Sequence, residues 1–248
     1  MKHRRAWIIA GIGFGLIVVV GGIVILSFRD TATPVSPGQV TEGFGDLVVG
    51  TEPGDPGLYR YATAGYETTD ALGGARHSYP PETFLILQPG GCGTVVRWYV
   101  LDERWSETEH CGVQIPVRWT AYNRWFGVEE TGVFVCDASP SEMPPAGGTW
   151  SARCGSDDTM REAVWEVIGT EMLDIAGTEV PTTHIRKTTA STGKTEGASV
   201  TDTWYLEGTL LPVKEIGDNE SVTSSPIGAV TYREEYQVEL TSLLPTAP

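Results

Sequence analysis

The sequence predicts an all-β, antiparallel domain held outside a membrane by a single helix, and three observations carry that prediction. A long uncharged run stands near the amino terminus. Beyond residue 57, apolar residues alternate with polar ones at period two rather than at helical spacing. Two distant stretches of the chain also repeat the same residue types in the same order.

Residues 1–5 contain Lys2, Arg4 and Arg5 and read as a cytoplasmic tail. Residues 6–28, AWIIAGIGFGLIVVVGGIVILSF, are free of charge. As a helix they would extend roughly 34 Å, enough to cross about 30 Å of hydrocarbon. A cleaved signal peptide has a shorter apolar core, about 7 to 15 residues, and a small-x-small cleavage site. The following SFRDTATP does not supply that site. The expected form is therefore an uncleaved signal anchor of a single-pass protein in a bacterial cell membrane. Its basic residues precede the span, which keeps the amino terminus cytoplasmic and the rest of the chain extracytoplasmic. Gly11 and Gly15 share one helix face, where two copies could approach in a weak helix-mediated dimer.

Residues 29–56 carry Pro34, Pro37, Pro53 and Pro56 among Thr, Ser, Gly and Asp, the composition of an extended stalk. From there the alternation places strands at 58–67, 83–88, 94–101, 113–121, 132–135, 163–169, 171–175, 180–189, 198–206, 210–216 and 229–243. Tryptophans spread through these strands supply large core side chains.

The internal comparison starts from GYETTDALGG at Gly65 and GTEMLDIAGT at Gly169. Gly65, Glu67 and Asp70 match Gly169, Glu171 and Asp174; Trp98-Tyr99 recurs as Trp204-Tyr205, and His77 recurs near His184. Three features in one order predict two similar β units, a first at 57–158 and a second at 159–248. In ALGGARHSYPPET, residues 71–83, this makes Arg76, His77 and Tyr79 scaffold beside a glycine turn rather than catalytic machinery.

Cys92, Cys111, Cys136 and Cys154 all lie beyond the apolar span. An even count in an oxidising compartment reads as disulfides, and four cysteines allow three connectivities. The local pairing, Cys92 with Cys111 and Cys136 with Cys154, is favoured because each pair brackets a plausible hairpin. None of the intervals between successive cysteines has the close Cys-x-x-Cys type of spacing of a zinc site, and no metal is expected.

From Asp30 onward 13 basic residues face 32 acidic ones. Such a surface repels nucleic acid and anionic headgroups, and solubility explains it well enough. The Gly-Lys-Thr of STGKTEG lacks the upstream glycine and the following helix of a phosphate loop, and reads as a hairpin turn. There is no Gly-x-Ser-x-Gly elbow and no HExxH. Adjacent acidic pairs such as Glu129-Glu130 point to opposite faces of a strand and cannot face each other as acid and base. No catalytic residue and no cofactor is expected, and the chain is read as a non-enzyme.

The segments GTEMLDIAGTEVPTTHIRKTT, TDTWYLEGTLLPVKEI and GAVTYREEYQVELTSLLP resemble uncharacterised bacterial envelope proteins related to lipoprotein carriers, mainly over the last third of the chain. That resemblance implies a curved antiparallel sheet or incomplete barrel whose concave face holds an apolar or lipidic envelope component. The inward faces of the Trp-Tyr strands then supply the ligand contacts: Trp98, Val100, Trp204, Leu206 and Tyr232. The alternative is a structural or protein-interaction module of the envelope whose tryptophans fill its own core, with an envelope protein rather than a lipid as partner.

Overall fold

The computed structural model describes residues 31–42, 48–112, 116–137, 143–226 and 228–246. Thirteen strands run through the described residues: β1 (Gly57–Thr69), β2 (Ala75–Ser78), β3 (Glu82–Pro89), β4 (Thr94–Leu101), β5 (Arg104–His110), β6 (Pro116–Trp125), β7 (Val128–Cys136), β8 (Thr149–Gly155), β9 (Thr159–Ile175), β10 (Thr178–Gly193), β11 (Thr195–Leu206), β12 (Pro212–Ser225) and β13 (Gly228–Leu240). Each pairs antiparallel with its neighbour in the chain, except around β2. Both β2 and β3 pair with β1, in one continuous register that runs from Thr69 opposite Ala75 to Gly57 opposite Leu87. They are one stave interrupted at Tyr79, Pro80 and Pro81, where two prolines offer no ladder donor.

The last strand returns to the first. β13 pairs with β1 from Leu240 opposite Tyr61 to Tyr232 opposite Thr69, closing a barrel of 12 staves. The expectation of a curved sheet or incomplete barrel is thereby corrected. Closure leaves no edge strand to protect, and it is made by residues far apart in the chain, so no local pattern announces it. Glycines permit it at two close approaches. A Cβ on Gly65 would lie 2.5 Å from the Glu235 carbonyl oxygen, and one on Gly217 would lie 2.3 Å from the Tyr236 ring.

One end of the barrel is packed shut. Tyr59, Leu87, Ile175, Leu211, Val213 and Leu240 meet there, each at most 2 % exposed. A second cluster on β8 to β10 stacks Trp150 on Trp165 against Val167 and Ile185. On the outer wall, the one described α-helix, α1 (Pro37–Glu42), sets Val40 among Leu58, Phe84 and Ile86. The Thr33 amide and hydroxyl each donate to Glu103 at 2.8 Å, so the described part of the 29–56 stretch lies against the barrel.

The remaining outer wall mixes ion pairs with exposed apolar side chains such as Val164, Ile168, Val200 and Val222. Arg186 pairs with Asp202, Arg233 with Glu220, and Arg153 with Glu162. The single-pass reading is also corrected. No helix among the described residues is long and apolar enough to cross a membrane, and α1 has six residues. The 6–28 span and the Gly11–Gly15 contact lie outside the described residues. The anchor, the helix-mediated dimer and the membrane localisation drawn from them are not carried further.

Cys92 bonds to Cys111 across the two ends of the β4–β5 hairpin, and Cys136 bonds to Cys154 between β7 and β8. The second link falls where the ladder is shortest, two residue pairs long. STGKTEG is the β10–β11 hairpin, with Lys194 at its turn 3.4 Å from Asp158.

Candidate functional site: the barrel interior

Above the packed end, the inward side chains enclose a cavity of about 690 Å³ that extends toward the turns joining β1–β2, β6–β7 and β12–β13. Period-two geometry sends one face of each stave into it, and the two halves of the wall differ in chemistry. On β4, β6, β7 and β9 the wall is aromatic, built from Trp98, Trp119, Trp125, Phe134 and Trp165, with the polar face of β5 between them. From β10 to β12 it is hydroxylated, built from Thr189, Ser199, Thr201, Thr203, Ser221 and Thr223.

A buried ionic chain ties β1, β2, β5 and β13 together along this interior. His77 Nδ1 lies 2.7 Å from Glu67 Oε1, and the Tyr232 hydroxyl donates to Glu67 Oε2 at 2.7 Å. The Tyr79 hydroxyl donates to Glu234 at 2.5 Å, and Arg104 Nη2 donates to both Glu234 oxygens at 3.2 and 3.4 Å. Arg104 Nε stands 3.7 Å from Glu67, which links the two carboxylates through one guanidinium. Burial works against the Arg104 charge, but Glu234, Tyr232, Tyr79 and Glu67 outweigh it and hold its pKa well above the usual value. Burial first, and the adjacent carboxylates second, push the hydroxyls of Tyr79 and Tyr232 well above the ordinary tyrosine value. A third carboxylate, Glu215, accepts from Tyr236 at 2.5 Å and from Thr203 at 2.9 Å.

Two cations facing the cavity stand apart from that chain. Arg161 on β9 places its guanidinium 4.2 Å from the Trp119 ring centre and 4.6 Å from that of Phe134, and its buried Nε has no hydrogen-bond partner. Burial, with Arg104 nearby, pushes the Arg161 pKa down to about 10. Lys187 on β10 is also lowered, by burial first; Glu215 and Glu234 oppose the shift and Arg161 adds to it. His110, 6 % exposed on β5, is pushed down to about 4 by burial and then by Lys187. It is neutral at pH 7.

Of the five ligand contacts expected from sequence, Trp98 and Tyr232 line the cavity. Leu206 is buried in the packed end. Val100 is buried with Tyr79 and Leu101. Trp204 is half-buried and stacks on His184, donating its indole N–H to Glu171. Thr201, Thr203 and Tyr205 line the cavity in unbroken alternation along β11, so Trp204 falls on the opposite face. His77 and His184 do not meet: the first is bonded to Glu67, the second to Asp202.

Sequence reasoning misses the cavity cations because face assignment in a strand is ambiguous by one residue. The signal is nonetheless present in MREAVWEVI, where Arg161 shares a face with Ala163, Trp165 and Val167, opposite Glu162 and Glu166. Lys187 likewise shares a face with Ile185.

No family model matches the chain, and no curated protein is similar to it. Among solved structures, it is similar to the hypothetical lipoprotein YmcC from Escherichia coli K12. The TM-score is 0.34 and the identity 13%, with 82% of this chain and 97% of that one covered. A likeness of that size is too slight to carry an argument from one protein to the other. The expected resemblance to lipoprotein carriers is not shown.

Proposed function

We propose that this barrel is a non-enzymatic binding protein that encloses an apolar or amphipathic molecule in its interior. The observation that carries this reading is the cavity of about 690 Å³ with one aromatic wall, within the range of roughly 300 to 1,000 Å³ over which proteins hold small ligands. The tryptophan-lined interior supports this reading, because it offers apolar surface to an enclosed ligand. The alternative of a module filled by its own tryptophans is disfavoured by the same cavity. A non-enzymatic role is supported by the commitment of the buried carboxylates. Glu67, Glu234 and Glu215 each accept from a tyrosine hydroxyl and from a second donor or cation, so none stands as a general base over the cavity.

The test uses the full chain and a neutral apolar fluorophore, N-phenyl-1-naphthylamine. Binding is expected with enhanced dye emission and quenching of tryptophan fluorescence. Ser106→Phe, which extends an inward side chain into the cavity, is expected to weaken it by about tenfold or more, equivalent to about 1.4 kcal/mol, while retaining the far-UV spectrum. Dye binding that Ser106→Phe leaves unchanged would overturn the reading, as would no binding at all.

A further inference from the structure

We propose that Arg161 and Lys187 form an anion subsite inside the barrel, so that the enclosed ligand is an amphiphile with an acidic headgroup, a carboxylate or a phosphate. This rests on the binding reading above and names the class of molecule that fills the same cavity.

The interior cations sort into two kinds. Arg104 is committed to Glu234 and stands beside Glu67. Arg161 and Lys187 both line the cavity, yet among the described residues neither has a carboxylate within ion-pair distance. Their nearest acids are spoken for, since Glu215 accepts from Tyr236 and Thr203, and Glu234 from Tyr79 and Arg104. A cation withdrawn from water without a partner is costly, so such groups are ordinarily paired or bound to something. Both face the one cavity, and Arg161 adds to the lowering of Lys187 that burial begins.

The surroundings supply the rest of a headgroup site. In the β9–β10 ladder Lys187 is opposite Trp165, and Arg161 is on the same face of β9 one turn of the alternation beyond Ala163. In the β10–β11 ladder Lys187 is opposite Thr201, whose hydroxyl belongs to the cavity wall. The Arg161 guanidinium is held over Trp119 and Phe134, which fixes its plane while leaving the buried Nε–H without an acceptor. An oxyanion there would receive charge-assisted hydrogen bonds from a guanidinium and an ammonium. Its apolar part would then lie along the aromatic wall.

The experiment is displacement of N-phenyl-1-naphthylamine from the full chain at pH 7, below the micelle concentration of each competitor. The competitors are hexadecanoate, hexadecyl phosphate, hexadecanol and hexadecyltrimethylammonium. At least one of the two anions is expected to bind tighter than the alcohol by about tenfold or more, and the ammonium to be the weakest. Preference for the phosphate or for the carboxylate identifies the headgroup, and either supports the proposal. Arg161→Gln and Lys187→Gln are each expected to abolish most of the anions' advantage over hexadecanol, with the far-UV spectrum retained. Retained hexadecanol binding also shows that a variant is folded, and the second variant serves if the first is not. If dye and alcohol bind but the anions show no advantage, or if the advantage survives both substitutions, the headgroup assignment falls and the binding reading stands. If neither dye nor any competitor binds, both fall.

Discussion

Two histidines make the same contacts in opposite settings. His77 stacks on Trp125 at 3.9 Å with the rings 5° apart, and His184 stacks on Trp204 at 4.1 Å with the rings 15° apart. Each imidazole reaches a carboxylate at 2.7 Å, Glu67 in the first case and Asp202 in the second. Glu171, the sequence counterpart of Glu67, is also beside His184, at 3.8 Å. The His77 and Glu67 side chains are 2 % exposed or less, and Glu67 must further satisfy Tyr232 and face Arg104. Around His184, Glu171 is 49 % exposed and Asp202 shares its charge with a half-exposed Arg186. The chemistry of a pair therefore says little about its energetic weight. What decides is whether water can replace a lost partner.

The largest expected difference follows from removing the carboxylate on each side. Glu67→Ala leaves Arg104, Tyr232 and His77 buried with one acceptor fewer, and is expected to cost about 3 to 5 kcal/mol. Glu171→Ala is expected to stay within about 0.5 kcal/mol, as for most surface substitutions. Urea unfolding of the two variants measures both, and equal losses would break the contrast between interior and exterior.

A pH effect comes next, again from inside. His110 has a folded pKa of about 4, below the ordinary value of 6.5. Below pH 6.5 the unfolded chain takes up a proton that the folded chain refuses until about pH 4, so stability falls as the pH falls through that window. The loss is on the order of 3 kcal/mol if the whole window is crossed. His110→Leu is expected to flatten this slope in urea titrations between pH 7 and 4.5. A slope unchanged by His110→Leu would remove the buried-histidine account.

The same division between inside and outside explains what is legible in the sequence. β9 and β10 are legible because they are rich in apolar and β-branched residues, with Ala163, Trp165, Val167 and Ile185 on their inward faces. β5 does not read as a strand, because its inward face is Arg104, Ser106, Thr108 and His110. The far half of β12 is hidden for the same reason: Gly217, Asn219, Ser221, Thr223 and Ser225 line the cavity without an apolar residue among them. A strand that faces a polar cavity shows no hydrophobic period, so the elements that build the site are the ones alternation conceals. Closure is hidden differently. It depends on β1 meeting β13, and the one local hint is the demand for glycine at Gly65, which lies against the Glu235 carbonyl. The site residues follow the same rule: Trp98 and Tyr232 stand out as aromatic residues of Trp-Tyr strands, whereas Arg161 and Lys187 read as ordinary surface cations until the inward face is known.

The smallest effect isolates solvent as the cause of the contrast. Burial alone would raise the Asp202 pKa, but hydrogen bonds and charge from Arg186 and His184 outweigh it and hold the carboxyl below its usual range. Its contribution is therefore present at neutral pH and lost as the pH falls through the carboxylate range. Because Arg186 is 48 % exposed, Asp202→Asn is expected to cost no more than about 1 kcal/mol at pH 7. Raising the salt should reduce even that, since the Debye length contracts from about 10 Å at 0.1 M to about 3 Å at 1 M. The Glu67→Ala loss should persist at 1 M salt, because ions do not reach the Glu67, Arg104 and Tyr232 cluster. Measuring both variants at the two salt concentrations separates a screened pair from an enclosed one. If the Asp202 loss proved as insensitive to salt as the Glu67 loss, Asp202 would have to be shielded from solvent as well, and the difference between the two histidines would need a cause other than water.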